Sequence, residues 1–258
     1  MDSTKTLCEY SEALSPCCSQ WTNTLIASQY LKPFEIMKKY DPEKNDKKVL
    51  DWGCGDGHFS YFLCQQGYSV EGFSFFDLEL EPVLQKQFKE RFLFTKASAE
   101  DPVRVPYASS TFDTICSVGV LEHVRETGGN ERASLQEMHR ILKPGGLLFV
   151  FHFPNRYSWI EQFNRLGNRF KPNRKYTHPF LYHLKEIQQL AKDSHFELVE
   201  QGLYNLLPRN MFRKLAPRLA NHPCVFYTYL GVEKILSSVF RRFSQNYYVV
   251  LRKATDCK

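Results

Sequence analysis

A chain of 258 residues, 43% hydrophobic and 24% charged, can bury a core of its own without disulfide or metal staples. Its eight cysteines include no CxxC pair, which excludes zinc-type spacing and points to free thiols in a reduced, cytosolic compartment. A net charge of +6 leaves room for anionic partners, and no apolar run approaches the ~20 residues of a membrane-spanning helix.

The polar stretch Met1 to Tyr10 carries no signal-peptide core, and residues 1–23 read as an irregular arm. Leu25, Ile26, Leu31, Phe34, Ile36 and Met37 predict a helix over 24–39 with a bend at Pro33. Together, residues 1–44 are expected to cap a substrate site in front of a main domain at 45–258. Short apolar runs then alternate with helical patterns. Strands are expected at 49–52, 68–74, 91–95, 112–118 and 146–151. Helices are expected at 56–66, 78–89 and 121–142. Such alternation implies right-handed crossovers and a mostly parallel sheet covered on both faces, a three-layer α/β sandwich. A helix at 184–194 and strands at 196–201 and 245–252 follow. A helical insertion, about 205–244, lies between those last two strands, with helices near 209–219 and 229–242.

The most informative segment is Val49-Leu50-Asp51-Trp52-Gly53-Cys54-Gly55-Asp56-Gly57-His58. An apolar strand runs into three glycines at alternate positions and then into a helix. Side chains at such a turn would collide with a ligand lying across the backbone, and the helix N-terminus favours an anionic group. The dinucleotide fingerprint GxGxxG would need its third glycine at His58, so the DxGxGxG spacing argues against it.

That loop resembles the cofactor loop of class I S-adenosylmethionine-dependent methyltransferases, and further segments match in order. They are Phe112-Asp113, then Ser117-Val118-Gly119-Val120-Leu121-Glu122-His123, then Arg140-Ile141-Leu142-Lys143-Pro144-Gly145-Gly146. The likeness covers residues 45–155 well and the last hundred loosely. It implies a Rossmann-like, seven-stranded, mostly parallel sheet with the last strand antiparallel, and S-adenosylmethionine as cofactor. It places Asp51, Gly53, Cys54, Gly55 and Gly57 at the methionine part, with Ser117 and Val118 near its amino group. It places Ser74 and Phe75 at the ribose, and Ser98 and Ala99 at the adenine. Ser74 and Ser98 stand where the family usually has carboxylates, and a hydroxyl cannot make the bidentate, charge-assisted contact.

Methyl transfer to oxygen benefits from a base that titrates near neutrality, so histidine is the natural candidate. His123 follows the fourth strand, and His152 ends the fifth. His178 sits in Tyr176-Thr177-His178-Pro179, which is similar to the ubiquinone-biosynthesis O-methyltransferases. His123 equally suits helix capping. No cluster of carboxylates and histidines has recognisable metal-ligand spacing, so no metal is expected.

Aromatic residues at Tyr10, Trp21, Tyr30 and across 157–182 suit the wall of an apolar acceptor pocket, or simply a packed arm. In the insertion, Met211, Phe212, Leu215, Leu219, Val239, Phe240 and Phe243 lie among Arg213, Lys214, Arg218, Arg241 and Arg242. This suits a packed cap, peripheral contact with a membrane surface, or a dimer face. The expected acceptor is a small molecule, most readily a hydroxyl on an apolar, aromatic or lipid-like compound. A non-catalytic scaffold and a nucleic-acid methyltransferase are the rivals. The latter lacks an Asn-Pro-Pro-Tyr/Phe motif and an RNA-binding module.

Overall fold

The computed structural model describes residues 23–40, 47–98, 100–170, 178–209 and 219–255. Seven strands form one sheet: β1 (Lys48–Trp52), β2 (Ser69–Ser74), β3 (Phe92–Lys96), β4 (Phe112–Val118), β5 (Leu142–Pro154), β6 (Phe196–Tyr204) and β7 (Asn246–Lys253). Their order is β3-β2-β1-β4-β5-β7-β6, and β7 alone runs antiparallel to its neighbours. The expected fold class is the one observed.

The helices are α1 (Thr24–Ala27), α2 (Leu31–Tyr40), α3 (His58–Gln65), α4 (Glu81–Phe88), α5 (Glu131–Ile141), α6 (Trp159–Phe170), α7 (Leu184–Asp193) and α8 (Pro223–Phe240). Two apolar clusters cover the two sheet faces. Val49, Cys116, Phe149 and Phe151 point into one, with Phe34, Phe59 and Phe62. Leu50, Ile115, Leu148 and Val150 point into the other, with Met138 and Ile187. This is the period of two that strands impose, and central strands buried on both faces read as continuous apolar runs.

Three sequence expectations are corrected. The helix expected over 24–39 is interrupted at Ser28–Tyr30, which winds as a 3-10 turn, and not at Pro33. Pro33 falls in the first turn of α2, where its missing N–H has no helical partner to lose. The single helix expected over 121–142 is broken. A 3-10 turn spans Val124–Thr127, Gly128 turns left-handed at φ 88°, and Asn130 caps α5 by accepting from the Ala133 N–H. The fifth strand, expected from Gly146, already begins at Leu142. Gly145 has φ 76°, and a Cβ on Gly146 would come within 2.9 Å of the Asp113 carbonyl.

Within the insertion, the helix expected near 229–242 exists as the longer α8. The one expected near 209–219 falls largely on 210–218, outside the described residues, as do Tyr10, Trp21 and Ala99. α2 is tied to the far edge of the sheet by Lys39 Nζ and the Tyr40 hydroxyl, both donating to Glu200 on β6.

Candidate active site

The site lies at the carboxyl ends of β1 and β4, where the strand order reverses, the usual ligand crevice of an open α/β sheet. Gly53, Gly55 and Gly57 all have positive φ, at 74°, 54° and 89°. The Gly53 and Cys54 N–H groups both donate to the Phe73 carbonyl, at 2.8 and 3.0 Å, fastening the loop to β2. A Cβ on Gly53 would meet Val120 at 2.5 Å, and one on Gly57 would meet Leu78 at 2.7 Å. On Gly55 it would meet nothing within 4 Å. Two glycines therefore serve packing, and the middle one keeps a ligand face open.

That face opens into a cavity of about 180 Å³. One wall is Gly53, Cys54, Gly55, Val118 and Gly119, with Asp51 beneath. The other is Gln29, Tyr30, His58, Phe59 and His152. Asp51 is buried, accepts a 2.7 Å bond from the Ser60 hydroxyl, and burial pushes its carboxyl up to about 7. Ser117 Oγ, near the end of β4, is buried with no hydrogen-bond partner among the described residues.

His58 was not singled out from the sequence as a site residue. It is buried, hydrogen-bonded to the Tyr30 hydroxyl, and desolvation lowers its pKa to about 3, so it is neutral. Its only sequence signal was standing where a third fingerprint glycine would be. His152 sits at φ 72° where the β5–β7 register shifts between Phe151 and Phe153. Its backbone N–H donates to the Tyr204 hydroxyl at 3.0 Å, its Nδ1 lies 3.1 Å from the same oxygen, and its Nε2 is buried without a partner among the described residues. Burial, with Arg209 nearby, pushes it well below the usual histidine range. For Nε2 to accept a proton, Nδ1 must carry one and the Tyr204 oxygen accept it, which fixes the tautomer.

His178 and His123 do not line this cavity. They form a neighbouring group with rings 5.8 Å apart. His178 Nδ1 is 3.0 Å from Glu161 Oε1, which also accepts from Gln245 at 2.9 Å. Burial opposes charge on His178, but the Glu161 carboxylate outweighs it and the net shift is upward. His123 is exposed, bonds Glu126 at 2.8 Å, and makes no side-chain cap. Glu122 beside it is buried, one carboxylate oxygen has no partner, and burial raises it to about 8. Ligand atoms of Glu122, His123 and His178 lie within 4.8 Å of one another, so this set could hold a divalent cation. The sequence could not display that group, because folding joins positions more than fifty residues apart.

The nucleoside end carries the two expected serines. Ser74 is buried and its hydroxyl accepts from the Phe76 N–H at 3.2 Å, closing the turn after β2 beside Phe75. Ser98 is exposed and accepts from the Glu100 N–H at 3.2 Å. Asp77 is exposed and paired with Lys96 at 2.5 Å. The residues therefore fit the methionine half of the expected cofactor through an open glycine face, a deep carboxyl and an unpartnered hydroxyl. For the ribose they offer a hydroxyl where a carboxylate usually stands.

The chain belongs to a methyltransferase domain family, whose model matches residues 27–201. An uncharacterized protein of Methanocaldococcus jannaschii is 29% identical over 81% of this chain and 80% of its own length. The ubiquinone biosynthesis O-methyltransferase of Pseudomonas aeruginosa is 31% identical, over 40% of this chain and 43% of that enzyme. Among solved structures, a phosphoethanolamine N-methyltransferase of Haemonchus contortus with phosphomonomethylethanolamine and S-adenosylhomocysteine aligns with TM-score 0.58 and 17% identity. It covers 96% of this chain and 60% of that one. A SAM-dependent methyltransferase from Methanosarcina mazei gives 0.56 and 19%, over 86% and 98%. At those identities the structures establish the fold. The named enzymes methylate both oxygen and nitrogen.

Proposed function

We propose that the chain transfers a methyl group from S-adenosylmethionine to a small-molecule acceptor, most readily a hydroxyl oxygen on an apolar, aromatic or lipid-like compound. The observation that carries this reading is the cavity itself. An open glycine faces a wall of histidine and tyrosine at the switch point of a methyltransferase-type sheet. The cofactor supplies an activated methyl on a sulfonium. The protein then has to exclude water, align the acceptor and take up its proton, of which alignment can contribute roughly 7–11 kcal/mol. Asp51, Gly53, Cys54, Gly55 and Gly57 would hold the methionine part, with Ser117 and Val118 at its amino group. Ser74, Phe75, Ser98 and Ala99 would border the nucleoside.

We take His152 as the first candidate to receive the acceptor's proton, because it lines the wall facing the glycine loop and its Nε2 has no partner among the described residues. His178, oriented by Glu161, is the second candidate, and His123 the third. A second groove, apolar and about 320 Å³ in volume, shares no lining residue with the cavity. It is lined by Trp159, Leu206, Leu207, Leu236, Phe240 and Phe243. Residues 1–44 act as a cap in this reading, and 205–244 meets a membrane surface peripherally in a cytosolic protein.

Calorimetry with S-adenosylmethionine tests the core of the proposal. Binding in the micromolar range is expected, and no binding at millimolar cofactor would leave only the non-catalytic scaffold. The same protein incubated with labelled cofactor and RNA should transfer no label, the outcome that separates it from a nucleic-acid methyltransferase.

A further inference from the structure

Arg209, five residues after β6, is the only lysine or arginine buried among the described residues. One guanidinium nitrogen donates to the neutral Gln29 amide oxygen at 2.9 Å, and the other two have no hydrogen-bond partner among the described residues. The Glu233 carboxylate, which acts on it through space, spends both oxygens on the Leu206 and Leu207 N–H groups, at 2.6 and 2.7 Å. A buried cation left this way is destabilising in a fold that has no other use for it. Arginine's planar fork suits the two-oxygen geometry of a carboxylate or phosphate.

Its surroundings say where such a group would come from. Gln29, which holds Arg209, lines the methyl-transfer cavity on the wall opposite the glycine loop, as do Tyr30 and His152. Arg209 does not itself line the cavity; its bond to Gln29 joins it to that wall, and it is close enough for its charge to act on His152 and Tyr204. In the proposed reading the cofactor's own carboxylate would meet the opposite wall, at the glycine loop. We infer that Arg209 is a specificity residue which recognises an anionic group, a carboxylate or phosphate, on the methyl acceptor, holding it against the His152 side of the cavity. The inference rests on the small-molecule acceptor reading and narrows it. The acceptor carries a negative charge as well as an apolar body.

The experiment uses the whole chain and two variants, R209M and R209K. Binding to the S-adenosylhomocysteine-loaded protein is measured by calorimetry for 4-hydroxybenzoate and phenyl phosphate. Their neutral counterpart is 4-hydroxybenzamide. Wild type should prefer an anionic probe by tenfold or more, R209M should lose that preference, and R209K should keep part of it. S-adenosylhomocysteine affinity should change less than about twofold, which also keeps the test independent of turnover. Thermal melting supplies the second measurement. An arginine kept for binding leaves R209M as stable as wild type or more so, whereas a structural arginine leaves it less stable by several degrees. Absence of a charge preference in wild type, or its survival in R209M, would overturn the assignment. A tenfold loss of S-adenosylhomocysteine affinity in R209M would overturn it too, assigning the anion to the cofactor. Failure of S-adenosylmethionine to bind at all would instead refute the enzyme reading beneath it.

Discussion

Asp51 shows how much one buried side chain can couple. With its carboxyl at about 7 against an ordinary value near 4, the folded chain holds a proton that the unfolded chain has released across that window. Stability of the free protein should therefore fall as pH rises from about 4 to about 7, then level off. Asp51→Asn should flatten that part of the curve in urea melts taken at several pH values. A cationic ligand in the cavity favours the charged carboxylate. S-adenosylmethionine binding near pH 6 should thus release a proton, visible as binding heats that depend on the ionisation enthalpy of the buffer. Heats that are the same in phosphate and Bis-Tris would place Asp51 outside the linkage. Of the histidines, His152→Ala and His178→Ala should each leave S-adenosylhomocysteine binding intact. The true base should lose roughly 10²–10⁴-fold in turnover, and a variant with unchanged turnover removes its residue from the chemistry. At this scale the glycines, Asp51 and His152 were legible because each sits beside a strand end. Gln29, Glu161 and Arg209 were not, since their roles arise from partners met only across the fold.

The glycine loop acts as an element, and its three glycines should answer differently to substitution. Gly55→Ala meets open space but keeps a left-handed backbone, a strain of roughly 1–2 kcal/mol, so it should fold and yet lose most cofactor affinity. Gly53→Ala adds a collision with Val120 to the same strain and should melt well below Gly55→Ala. Equal melting temperatures would mean that Val120 moves aside. The strands were readable as elements because β1, β4 and β5 each centre on a short apolar run, Val49-Leu50, Ile115-Cys116 and Leu147-Leu148-Phe149-Val150-Phe151. Breaks in helices were less so. Ser28–Tyr30 carries no glycine or proline, and its interruption is settled by packing of Tyr30 against His58 and Phe59. Gly128-Gly129-Asn130 did carry a stop-and-start signal, a left-handed glycine followed by an Asn cap, that the apolar period masked.

For the molecule as a whole, the order of strands and helices was in the sequence, while the second wall of the cavity was not. That wall gathers Gln29, Tyr30, His58 and His152 from three separate elements, and no local pattern registers such a meeting. The same holds for Glu122, His123 and His178. Turnover unaffected by EDTA is what the expectation of no metal foresees, and activity lost to EDTA and restored by Mg²⁺ or Mn²⁺ would assign a cation to them. No helix among the described residues is long and apolar enough to cross a membrane. Ile235, Val239, Phe163, Leu166 and Phe170 are nonetheless exposed on α8 and α6, near Arg165, Arg169, Arg241 and Arg242. Co-sedimentation with phosphatidylglycerol vesicles, falling in Ile235→Asp/Val239→Asp, checks the peripheral contact, and pelleting unchanged by that pair would remove it. One irregularity ties these scales together. Because β5 shifts register at His152, the ring is an extra residue relative to the β7 partner strand. Removing that residue, rather than replacing it, would let Phe151 and Phe153 pair in step with β7 and relieve a left-handed backbone. The shortened chain would be the better-formed sheet, and a relative lacking one residue here would have kept the architecture while losing an imidazole from the cavity wall.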